Sequence, residues 1–100
     1  MKKIIILGST GSIGKSLLNI INKDKKSFQI ELLTAHKNYK VLLDQAKLFN
    51  VKNVILTDKK NFNFSKKFFE KRKIRIFNNF SELNKFLNIK VDYVMSSIIG

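Results

Sequence analysis

The sequence predicts an α/β fold, a Rossmann-like doubly wound parallel sheet with helices on both faces, and three observations predict it. Short apolar runs rich in Ile and Val recur along the chain, each is followed by a stretch with helical spacing of apolar residues, and the first such junction carries three glycines. Runs that are apolar at every position suit strands covered on both faces. Strands that alternate with helices require right-handed crossovers, and hence parallel pairing.

Taken in order, "KKIIIL" is the first buried strand, and "SIGKSLLNIINK" follows with Ile13, Leu17, Leu18, Ile20 and Ile21 at helical spacing, forming one apolar stripe. "FQIELLTA" reads as a second strand, and "NYKVLLDQAKLFN" as an amphipathic helix through Val41, Leu42, Gln45, Ala46 and Phe49. "VKNVILTD" is a third strand, with a polar helix after it over about 61–73. "IRIF" is a short strand, "SELNKFLNI" a helix with Ser81 as its N-cap, and "VDYVMSSIIG" a further buried strand. Ile4–Leu7, Ile30–Leu33, Val54–Leu56 and Val91–Met95 are therefore expected as central strands, with Leu17, Ile21, Leu42, Ala46 and Leu83 packed on their faces. No repeat or linker interrupts the pattern, which places one domain over residues 1–100.

Composition narrows the function classes. A hydrophobic fraction of 44% with nine Phe is ample for a packed core. The absence of Cys excludes disulfides and thiolate metal sites. The apolar run Ile4–Leu7 stops at glycine, too short for a signal-peptide core or a membrane span, so a soluble, cytoplasmic chain is expected. The balance of 20 Lys+Arg against 7 Asp+Glu, a formal charge of +13, would ordinarily raise nucleic acid as a partner. Lys is abundant together with Asn, Ile and Phe, while Pro and Trp are absent, the profile that A/T-rich codon usage produces. The densest basic run, "KKFFEKRKIR", reads as the solvated face of a helix, and neither nucleic acid nor membrane is expected as a partner.

The glycines Gly8, Gly11 and Gly14 follow a strand and open a helix inside a βαβ unit, the setting in which such a motif carries information. There the chain must turn sharply, let its backbone approach a ligand and start a helix close against the sheet, and each demand is met by removing a Cβ. The helix N-terminus directs free N–H groups and partial positive charge at that ligand, which suits phosphate. Ser9, Thr10 and Ser12 add hydroxyls that can donate to phosphate oxygens or cap the helix. The spacing G-x-x-G-x-x-G is one residue longer in its first half than the usual dinucleotide fingerprint, so it favours NAD(P) without fixing it. A P-loop would use Gly14-Lys15-Ser16, yet the glycine it needs at position 9 is Ser. Glycines serving only tight strand–helix packing is a third reading.

The end of the second strand reads the cofactor type. NAD-binding domains usually carry an acid there for the ribose 2′-hydroxyl. Here the stretch is "LLTAHKN" with no carboxylate, and Lys37, flanked by His36 and Asn38, could hold a 2′-phosphate, so NADP(H) is preferred. The four Asp and three Glu are scattered, with no pair at metal-ligand spacing, and no residue of the chain is expected to be catalytic or to bind a metal.

"ILGSTGSIGKSLLNII", "LTAHKNYKVLLDQAKLF" and "VDYVMSSIIG" resemble, in order and spacing, the amino-terminal NADPH-binding domain of the 1-deoxy-D-xylulose 5-phosphate reductoisomerases, enzymes of non-mevalonate isoprenoid biosynthesis. The resemblance is weakest over about 58–88. It implies that Thr10, Gly11, Ser12 and Ile13 contact the pyrophosphate and adjoining ribose, that His36, Lys37 and Asn38 face the adenosine 2′-phosphate, and that Ser97 and Ile98 lie near the nicotinamide. Two positions depart from the family pattern: His36 stands where Gly is common, and Ser96-Ser97 where small apolar residues are common. The resemblance further implies a longer, homodimeric enzyme that uses NADPH and Mg²⁺ or Mn²⁺ on a phosphorylated sugar, with its metal and catalytic residues beyond Gly100. Another NADP-dependent oxidoreductase or epimerase on the same βαβ start, and a non-enzymatic basic domain binding nucleic acid or a dinucleotide, are the alternative readings.

Overall fold

The computed structural model describes residues 1–88 and 90–97. Strand and helix alternate as β1 (Lys2–Leu7), α1 (Ser12–Asn22), β2 (Phe28–Ala35), α2 (Tyr39–Leu48), β3 (Asn53–Leu56), α3 (Lys59–Lys71), β4 (Arg75–Phe77), α4 (Leu83–Leu87) and β5 (Tyr93–Ser96). Among the described residues the strands form one sheet in the order β4-β3-β2-β1-β5, every pair parallel.

The period of two along each strand divides the core into two layers. Ile4 and Ile6 of β1 join Leu18 and Ile21 of α1, Leu42 and Ala46 of α2 and Phe69 of α3 in the larger cluster. Ile5, Leu32 and Ile55 point the other way and pack with Phe86 of α4, with half-buried Leu83 beside them. The chain thus steps outward from β1 to β4 with α1–α3 on one face, then returns along the other face through α4 to set β5 beside β1. The strand order reverses between β1 and β5, and in sheets of this kind the ligand crevice lies outside the carboxyl ends of the strands at that point.

Three expectations change at the level of single elements. β5 is an edge strand in the described sheet, with Tyr93 49% and Val94 51% exposed, because it has β1 as a neighbour on one side only. The apolar stripe of α1 is narrower than the spacing implied: Leu18 and Ile21 are buried and Leu17 half-buried, but Ile13 and Ile20 face solvent, since a helix lying on a sheet covers only one arc of its circumference. Ser81 is not the cap of its helix. Asn79 accepts the Ser81 N–H at 2.9 Å and opens a 3₁₀ turn, Phe80–Glu82, that runs into α4. Elsewhere short polar side chains do cap: Asn38 Oδ1 accepts the Val41 N–H at 3.2 Å for α2, and Asp58 Oδ2 accepts the Asn61 N–H at 3.0 Å for α3. The basic run of α3 lies mostly in solvent, where Lys67 Nζ sits 5.6 Å from the Phe64 ring and 5.3 Å from the Phe68 ring.

Candidate functional site: a cleft at the glycine turn

Between β1 and α1 the three glycines serve three different needs. Gly8 has φ 75, the left-handed region that favours glycine, and makes the turn. A Cβ on Gly14 would lie 2.5 Å from the Gly8 carbonyl oxygen and 2.6 Å from Ser9 Cα, so Gly14 is what lets α1 approach the turn. A Cβ on Gly11 would meet only the Gly8 oxygen, at 3.9 Å. The protein itself therefore leaves room at Gly11, and the space in front of it is open to a ligand. Gly11 is also the N-cap of α1, with no side chain capping the helix and no acid in its first turn, so the N–H groups and positive end of the helix remain on offer.

A buried polar network fixes this turn. The Gly8 N–H donates to Thr34 Oγ1 and the Ser9 N–H to the Thr34 carbonyl, both at 2.9 Å. Ser9 is fully buried: its hydroxyl donates to Gln45 Oε1 at 2.7 Å, while Gln45 Nε2 donates back to the Ser9 carbonyl at 2.8 Å. Ser9 thus joins the turn to α2, and its hydroxyl is turned away from the ligand side, contrary to the reading that offered it to phosphate. Just past β5, Ser97 closes the other flank: its N–H donates to the Leu7 carbonyl at 2.9 Å, and its hydroxyl to the Leu7 carbonyl at 3.1 Å and to that of Gly8.

In front of the turn lies a cleft of about 400 Å³. Of the residues singled out from the sequence, Thr10, Gly11, His36 and Ser97 line it, together with Gly8, Thr34 and Ala35. Ser12 and Ile13 form the exposed first turn of α1, and Lys37 and Asn38 are exposed just past β2. The Asn38 carboxamide oxygen is occupied as the α2 cap. Ile98 lies outside the described residues.

Thr57 and Phe80 also line the cleft, and sequence reasoning missed both. Thr57 could have been found, since it directly follows a central strand at the crevice end of the sheet. Phe80 could not, because an aromatic near apolar helical spacing reads as core. Thr57 Oγ1 lies 2.7 Å from His36 Nδ1, which holds the imidazole against the end of β3. The neighbouring Asp58 carboxyl is held below its ordinary value, chiefly by the Asn61 backbone N–H, then by the Asn61 side chain, with smaller help from Lys37 and His36. Among the described residues no three His, Asp or Glu side chains gather where they could hold a metal ion, and no helix is long and apolar enough to cross a membrane.

A parallel sheet whose order reverses at an uncapped helix N-terminus, with a glycine turn above it and a lysine rather than an acid after β2, defines a Rossmann-like domain. The family model of 1-deoxy-D-xylulose 5-phosphate reductoisomerase matches residues 4–100, and the chain belongs to that family. It is 58% identical over 102 residues to the 1-deoxy-D-xylulose 5-phosphate reductoisomerase of Pelagibacter ubique (strain HTCC1062), an alignment that covers 100% of this chain and 26% of that relative. The Zymomonas mobilis enzyme solved in complex with NADPH superposes with a TM-score of 0.87 at 31% identity, over 99% of this chain and 26% of that one. A DOX-P reductoisomerase in complex with NADPH, fosmidomycin and magnesium superposes with a TM-score of 0.85 at 27% identity, over 100% of this chain and 25% of that one. The chain spans about a quarter of the length of the relatives it matches.

Proposed function

We propose that the chain is the NADPH-binding part of a 1-deoxy-D-xylulose 5-phosphate reductoisomerase, which converts 1-deoxy-D-xylulose 5-phosphate to 2-C-methyl-D-erythritol 4-phosphate. The observation that carries the reading is the space left at Gly11 before an uncapped helix N-terminus, on the floor of a cleft large enough for part of a dinucleotide. NADPH supplies the hydride that reduces the rearranged sugar phosphate. The residues of this chain bind and orient it. Thr10, Gly11, Ser12 and Ile13 receive the pyrophosphate and adjoining ribose. Lys37, with His36 and Asn38, receives the 2′-phosphate, and Ser97 stands on the nicotinamide side. Mg²⁺ or Mn²⁺ and the catalytic groups are assigned to the remainder of the enzyme, which we place in the cytoplasm as a homodimer on the strength of the family reading.

The test lies at Lys37. A hydrogen bond to a charged partner contributes about 1.5–3 kcal/mol, so Lys37→Ala should weaken NADPH by roughly ten- to a hundredfold. NADH lacks the 2′-phosphate and should change by less than about twofold. Dissociation constants are to be measured for both cofactors at one salt concentration, because a chain of net charge +13 attracts any anion. Equal losses for the two cofactors, or tighter binding of NADH than NADPH by the wild type, would overturn the assignment.

A further inference from the structure

Phe80 is 39% exposed although it is a large aromatic, and it lines the same cleft as the glycine turn. The two residues before it are tied down. Asn78 Nδ2 donates to the carbonyls of Leu56 at 3.1 Å and Thr57 at 3.2 Å, joining the segment after β4 to the end of β3. Asn79 caps the 3₁₀ turn that Phe80 begins. An apolar ring fixed at the wall of an open crevice leaves water-accessible surface that a flat, apolar ligand group would cover.

Strand order decides which end of the dinucleotide that group belongs to. With the order β4-β3-β2-β1-β5, the glycine turn follows β1, Ser97 follows β5 on one side, and Lys37, Thr57 and Phe80 follow β2, β3 and β4 on the other. A dinucleotide whose pyrophosphate sits at Gly11 and whose 2′-phosphate reaches Lys37 sends its adenine toward β3 and β4. We propose that Phe80 is the stacking platform for the adenine ring, an assignment that rests on the NADPH reading above and adds to it a binding residue from the segment least like the rest of the family. Adenine presents a π-face whether or not its ribose is phosphorylated, so Phe80 contributes affinity without choosing between NADPH and NADH, the choice that Lys37 makes.

The experiment uses the full-length polypeptide and three ligands: NADPH, NADH and adenosine 2′,5′-bisphosphate. Phe80→Ala should weaken all three by a common factor, roughly five- to a hundredfold for loss of one base–aromatic stack. Phe80→Tyr should retain wild-type affinity for all three. Lys37→Ala, by contrast, should spare NADH. The chain contains no Trp, so Phe80→Trp adds a reporter whose fluorescence, taken as the difference from the unsubstituted enzyme, should be quenched by adenosine 2′,5′-bisphosphate. Wild-type binding of that ligand combined with unchanged affinity in Phe80→Ala, or with no quenching in Phe80→Trp, would overturn the role of Phe80 and leave the NADPH reading standing. A wild-type enzyme that binds none of the three ligands would overturn the cofactor reading and this assignment together.

Discussion

Ser9 and Gln45, 36 residues apart, exchange two hydrogen bonds in the interior, and the glycine turn keeps its shape through them. A buried donor or acceptor left without a partner costs more than the hydrogen bond gained in making it, because its water shell has already been given up. Gln45→Leu strands the Ser9 carbonyl and leaves the Ser9 hydroxyl only its long 3.4 Å bond to the Thr34 carbonyl, and should lower stability by about 1–3 kcal/mol in chemical denaturation. Adding Ser9→Ala should recover part of that loss, since the weakly bonded hydroxyl is then gone. If Gln45→Leu were neutral, the pair would not hold the turn. The same pair shows a limit of sequence reading: Gln45 falls on the apolar stripe of its helix and Ser9 within a phosphate-type motif, so nothing local tells that they meet. Gly14 is the opposite case, because a residue without Cβ at a strand–helix junction already states its reason, close packing.

At the level of elements, the starts of α2 and α3 are governed by short polar side chains, and two aspartates, one at a helix start and one at the start of β5, carry charge as well. Asp58 caps α3. Asp92 accepts the Lys3 N–H at 2.8 Å, while its own N–H donates to the Lys3 carbonyl at 2.8 Å, fastening the start of β5 to β1. Both carboxyls are held below the ordinary 3.8, Asp58 chiefly by the Asn61 backbone N–H and Asp92 chiefly by that of Lys3. A folded value below the unfolded one means that the stabilisation is fully present above the ordinary carboxylate range and is lost as pH falls through the lowered folded values. The melting temperature of wild type should therefore exceed that of Asp58→Ala by its full margin at neutral pH, with the margin closing below about pH 4. A margin that is constant or grows on acidification would contradict the capping account. Strand and helix identities were legible from apolar periodicity, whereas the cap at Asn79 instead of Ser81 was not, because both are good N-cap residues two positions apart.

Across the whole molecule, alternation of strand and helix was enough to read a parallel, doubly wound sheet, but not the neighbours of each strand. Pairing order is a tertiary outcome that composition does not carry: among the described residues β1 and β2 stand inside the sheet, with β5 beside β1 and β4 beside β3. The site was legible where backbone chemistry demands particular residues, at the glycines, of which Gly8 and Gly11 line the cleft. It was not legible where side chains from distant loops converge, at Thr57 and Phe80. The central claim is that the opening turn is the phosphate site of a dinucleotide, and the space at Gly11 offers its most direct test. Isothermal titration of NADPH is to be carried out on wild type and Gly11→Val, with thermal melting of both and of Gly14→Ala as a control. The account predicts that Gly11→Val melts close to wild type and binds neither NADPH nor NADH, while Gly14→Ala loses stability because its new methyl meets backbone. A folded Gly11→Val that still binds NADPH with wild-type affinity would contradict it.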